Sequence, residues 1–134
     1  MSDTLHDADR VAEDHADGQP SPAAQISRGT VQLIRKYAGR GPTQARTAIA
    51  RDTVTVVLSD TLTKAEQKLV EHGETEIVIR TRDKVQEMMR PELIDLVQTT
   101  LGRQVLAFLS ANHLDPDVGA EIFVLEPDRA QPAG

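Results

Sequence analysis

Two stretches of the chain carry residue types that can do chemistry. The first is GRGPTQAR, residues 39–46, where glycine-bracketed backbone N–H groups and the guanidinium forks of Arg40 and Arg46 beside Gly41 suit a carboxylate, phosphate or bicarbonate. It belongs to a longer basic run: Arg28, Arg35, Lys36, Arg40, Arg46 and Arg51 lie between Gly18 and Arg51 with no acid among them. The plainer reading puts Arg35, Lys36 and Arg40 at a helix C-terminus, where the dipole favours bases, and Arg46 and Arg51 on a solvated sheet face. The second stretch is SANHLDPDVG, residues 110–119. Its Asn112, His113, Asp115 and Asp117 can offer ligands to a cation, or a histidine base beside carboxylates, yet the same residue types serve a hairpin turn. His72, just before Gly73, reads as a helix C-cap, and Met88 and Met89 as core filling. No P-loop, nucleophile elbow, His-Glu metal motif, dinucleotide fingerprint or EF-hand loop occurs, so no catalytic residue, metal site or cofactor is expected and the chain reads as a non-enzyme.

The elements that must position these groups follow from periodicity. Ser21-Pro22 suits a helix start, Ile26, Thr30, Leu33, Ile34 and Tyr37 recur at helical spacing, and Gly39 suits its left-handed end. Gly29 inside that helix implies either a later start or a close neighbour. Ala45–Ala50 and Thr53–Ser59 read as a hairpin turning at Arg51-Asp52, with Val54, Val56 and Leu58 on one face. Thr63 and Glu66 form a capping-box signature before a short helix, Lys64–His72. The stretch from residue 75 to 84 suits a strand by propensity at Ile77–Ile79, but Val78, Val85, Met89, Leu93, Leu96 and Val97 thread one helical stripe. One long helix, Thr75–Leu101, kinked by Pro91, is the preferred reading. RQVLAFLS and AEIFVLE supply two further strands joined by ANHLDPDVG. The expected fold is α+β: a four-stranded antiparallel sheet from two hairpins, covered by helices, in the order α-β-β-α-α-β-β.

Composition bounds the rest. A chain of 134 residues holds one domain, expected over 23–126, between an acidic disordered tail at 1–22 and a frayed tail at 127–134. The first 22 residues hold six acids and one base, a net -5 of the total -6, leaving -1 for the remainder. There is no cysteine, and Tyr37, Phe108 and Phe123 are the only aromatics, so the core is aliphatic. An acidic pI of about 5.1 with so few stacking rings makes nucleic acid an unlikely partner. No apolar run reaches the roughly 20 residues of a membrane span, and the N-terminus lacks a signal-peptide pattern, so a cytoplasmic protein is expected. A small aliphatic core and a helix about 40 Å long predict a homo-oligomer, most simply a homodimer.

Taken together, GRGPTQAR, VTVVLSDTLTKAEQKLVEHG, MMRPELIDLVQTTLGRQVLAFLSANHLDPD and EIFVLE, in that order, resemble the MpsC-like family over roughly Arg28 to Glu126. The resemblance implies a small cytoplasmic protein accompanying membrane transport subunits in cation-linked membrane-potential generation and inorganic carbon uptake. It implies no catalytic residues. It also picks out Gly102-Arg103 beside the two loops, which makes Arg40, Gly41, Arg46 and Arg103 the expected contacts for a small anion or partner. A soluble regulatory module binding a nucleotide or nucleic acid is the alternative, and a metal-assisted enzyme using His113, Asp115 and Asp117 is a third.

Overall fold

The computed structural model describes residues 19–128. The tails expected at 1–22 and 127–134 therefore fall largely outside the described residues, although Ser21 and Pro22 already belong to the first helix. Helix α1, Pro22–Ala38, starts where Ser21 Oγ accepts a hydrogen bond from the Ala24 N–H, and it ends at Gly39 with a positive φ of 82°. Strands β1, Gln44–Ala50, and β2, Thr53–Ser59, form the first hairpin. Helix α2, Lys64–Glu71, carries the reciprocal capping box of Thr63 and Glu66. Helix α3 runs unbroken from Thr75 to Leu101 through Pro91. Strands β3, Val105–His113, and β4, Val118–Leu125, complete the order α-β-β-α-α-β-β.

The two hairpins join through β2 and β4, giving one antiparallel sheet in the order β1-β2-β4-β3. One sheet face carries α1 and α3. Val54, Val56 and Leu58 on β2 and Phe123 and Leu125 on β4 point into it, meeting Ile26, Ile34, Met89, Leu93 and Val97. The strand alternation and the helical stripe thus come together in one aliphatic core, with Phe108 and Phe123 tilted against each other at 4.9 Å. Gly29 is where α1 and α3 approach. A Cβ there would lie 2.6 Å from Leu96 Cδ1, so any larger residue would have to displace the Leu96 side chain, and α1 keeps its full length around this close approach.

Among the described residues no helix covers the opposite sheet face. By register its central row is Ala48, Thr55, Ile122 and Leu109, running from β1 to β3.

The largest boundary differences from expectation lie in the second hairpin. The polar stretch after Ser110 stays in β3 through His113, because Asn112 pairs with Gly119 and His113 with Val118, so the turn shrinks to residues 114–117. At the start of β3, residues 103 and 104 precede the strand, and a bulge between Val105 and Ala107 resets its phase.

Candidate functional site

The expected anion contacts do not converge. Arg40 spends its guanidinium on backbone carbonyls, donating from Nη1 to Leu62 O at 2.6 Å and from Nη2 to Asp60 O at 3.0 Å. Arg103 does the same at the other end of β2: Nη1 donates to Arg51 O at 2.8 Å, and Nη2 to Asp52 Oδ1 at 2.6 Å and Glu126 O at 2.7 Å. Seven strand residues, about 20 Å, separate those two ends. Arg46 projects from edge strand β1 on the helix-free face, while Gly41 lies against Val31 and Arg35 of α1. Lys36 turns to α3, bonding Glu92 Oε2 at 3.1 Å. The basic run is therefore divided among several local tasks.

The polar stretch on the second hairpin divides too. Asn112 points under the helices and donates from Nδ2 to Gln86 Oε1 at 2.8 Å. Asp117 accepts from Thr61 Oγ1 at 2.9 Å and from the Leu62 N–H at 2.8 Å, fastening the chain between β2 and α2. His113 Nδ1 lies 2.8 Å from Pro116 O, an exposed contact within the turn, and Asp115 precedes the cis bond to Pro116. Among the described residues no cluster of three or more histidine, aspartate or glutamate side chains could hold a metal.

What the fold does assemble is a cavity of about 280 Å3 under α2, between the C-terminal half of α1, the middle of α3 and the ends of β2 and β4. Ile34, Leu58, Val85 and Met89 give it apolar walls. Its floor is a chain of hydrogen bonds: Asn112 to Gln86, then Gln86 Nε2 to Glu121 Oε2 at 3.1 Å, with Ser110 Oγ bonded to Glu121 Oε1. Glu121 is 1% exposed, and burial raises its carboxyl above the ordinary range while the bonds from Ser110 and Gln86 pull the other way. The floor thus favours an acid that holds its proton.

The roof is ionic. Glu66 Oε1 accepts from the Thr63 N–H at 2.8 Å and from Arg82 Nη2 at 3.2 Å, so one carboxylate caps α2 and ties it to α3. Both members of the pair are largely buried, at 15% and 17% exposed. Arg82 Nε has no hydrogen-bond partner in its buried position. Because α2 buries no side chain fully, this tie and the Asp117 contacts are its main anchors. Tyr37 on the cavity wall bonds Glu92, which raises the phenol and lowers the carboxyl.

None of Glu121, Gln86 or Arg82 stands out in the sequence. Glu121 gives one signal: it shares inward parity with Gly119, Phe123 and Leu125, so a charged side chain sits where the alternation demands an apolar one. Its partners lie 11 and 35 residues away, which no local pattern reports.

The family model described as Na+-translocating membrane potential-generating system (MpsC) matches residues 20–127, from just before α1 to just after β4. No curated protein and no solved structure matches the chain. No helix among the described residues is long and apolar enough to cross a membrane.

Proposed function

The chain belongs to the MpsC family of the Na+-translocating membrane potential-generating system, and from that premise we propose that it is a non-catalytic accessory protein of such a system. It stands on the cytoplasmic side beside membrane transport subunits, in a process linked to inorganic carbon uptake, and it works by binding. The observation that carries the binding reading is the cavity beneath α2. Its apolar walls and few convergent polar groups are those of a small-molecule pocket, and its volume suits a small ligand. Its buried acid is hydrogen-bonded to a hydroxyl and an amide, an arrangement that suits recognition. A ligand reaching the unsatisfied Nε of Arg82 would share that side chain with Glu66 and so alter how α2 is held. Occupancy then becomes a change on the protein surface that a membrane partner can read.

The test is genetic and physiological. Cells lacking this chain should lose membrane potential, read with a voltage-sensitive dye, and labelled bicarbonate uptake, both at fixed external sodium. The wild-type chain should restore both, and Arg82→Met should restore less. Unchanged potential and uptake in the deletion strain would remove the accessory role. Turnover by the purified chain, tested as CO2 hydration and nucleotide hydrolysis, would remove the non-catalytic one.

A further inference from the structure

The helix-free sheet face departs from the usual alternation of an antiparallel sheet, in which the uncovered side is polar. Its central row, Ala48, Thr55, Ile122 and Leu109, is uncharged. On one side of that row lie Ala50, Thr53, Val124 and Ala107. On the other lie Val57, Ala120 and Ala111, with Arg46 on edge strand β1. Polar Gln44, Ser59 and His113 appear only in the last row, at one end. Leu109 is 54% exposed, Val124 36%, and Leu106, the extra residue at the β3 bulge, 61%.

We propose that this face is the interface of a homodimer, closed by the same face of a second copy in a sheet-on-sheet sandwich. Four strands at about 4.8 Å spacing, by about 20 Å along the three aliphatic rows, give a flat footprint on the order of 400 Å2. That alone equals the largest apolar patch on a typical monomer. Two such footprints total roughly 800 Å2, and side-chain relief with Leu106 enlarges this toward the lower end of specific interfaces, about 1,200 Å2 in total.

The charge pattern selects the occupant. The face holds no acid, and its one arginine is on the border strand, where it can reach past the edge to solvent. A partner recognised by charge finds almost nothing to read there. The N-terminal segment 1–18 carries six acids and one base, a composition poorly matched to an aliphatic surface. Ala48, Ala50, Ala107, Ala111 and Ala120 leave few long side chains on the face and allow two sheets to meet at about the 10 Å spacing of a β-sandwich. A second copy brings the same acid-free, largely apolar surface, as a two-fold interface requires.

Sedimentation velocity on the full chain from about 1 µM to about 200 µM tests this. A monomer–dimer equilibrium is expected, with Leu109→Lys and, separately, Thr55→Lys weakening association at least about tenfold. Both side chains point away from the core, and matched circular dichroism and thermal midpoints at low concentration will establish that each variant folds. A wild-type chain that stays monomeric throughout, or folded variants that dimerise like wild type, overturns the proposal. So does recovery of the monomeric chain on lipid vesicles in a manner that Leu109→Lys abolishes, since that assigns the face to a membrane surface.

Discussion

Glu121 shows how a single residue's surroundings set its role. It is fully buried, faces no base, and is held by Ser110 and Gln86. Its carboxyl is raised in the folded state, so the folded protein keeps the proton over a pH range where the unfolded chain has lost it. Stability from this group is present in full below the ordinary value of 4.5 and falls as pH rises toward the folded value. Glu121→Gln keeps both hydrogen bonds without the charge. Its thermal midpoint should therefore exceed that of wild type by a margin that widens from pH 4.5 to pH 8, and a constant margin would show that burial is not acting on the acid. Arg103 supplies the contrasting case. Its fork joins the Arg51 carbonyl and Asp52 of the first hairpin turn to the Glu126 carbonyl after β4. It thereby braces a turn in which Arg51 adopts φ 55°, a conformation costly for a residue with a side chain. Arg103→Met should cost about 1–3 kcal/mol in denaturant unfolding, the scale of charge-assisted bonds, and should leave bicarbonate affinity unchanged because both terminal nitrogens are already engaged within the protein. A drop in bicarbonate binding, followed by calorimetry, would return Arg103 to the anion contacts expected from the sequence.

At the scale of elements, legibility followed locality. The capping box of Thr63 and Glu66, the alternation in β2 and the stripe along α3 each lie within one segment, and each predicts its element correctly. The ends of the second hairpin were not legible. Asn112 and His113 look like turn residues but are recruited to β3 by pairing with Gly119 and Val118. The cavity was not legible either, since Gln86, Asn112 and Glu121 meet only after α3 is laid across the sheet. Gly29 lies between these extremes: its cost in a helix is visible locally, while its reason, Leu96 on α3, is not. Gly29→Ala gains up to about 1 kcal/mol of helix propensity but drives a Cβ to within 2.7 Å of both Leu96 methyl groups. Repacking of that kind costs about 1–3 kcal/mol. Made in wild type, the substitution should be neutral or destabilising; made in a Leu96→Ala background it should stabilise. The expected coupling in a double-mutant cycle is about 1 kcal/mol or more, and additivity would mean that the helices do not meet there.

For the whole molecule, charge and apolar surface are laid out separately. The helix layer and its cavity carry the ionic ties, Arg82 to Glu66 and Lys36 to Glu92, while the other sheet face is aliphatic. Nearly all of the net charge belongs to neither layer. Residues 1–18 contain six acids and one base, so they contribute -5, and removing them would take the chain from -6 to -1. Long-range repulsion that keeps chains apart near neutral pH would then almost vanish, while every residue of the aliphatic face would remain. The protein lacking residues 1–18 should therefore show a less positive second virial coefficient in static light scattering at pH 7 and precipitate at a lower concentration. The difference should shrink as salt rises to about 0.5 M, because added ions screen the same repulsion in the full-length chain. Equal solubility of the two proteins at low salt would mean that repulsion from the acidic segment does not keep the chain dispersed.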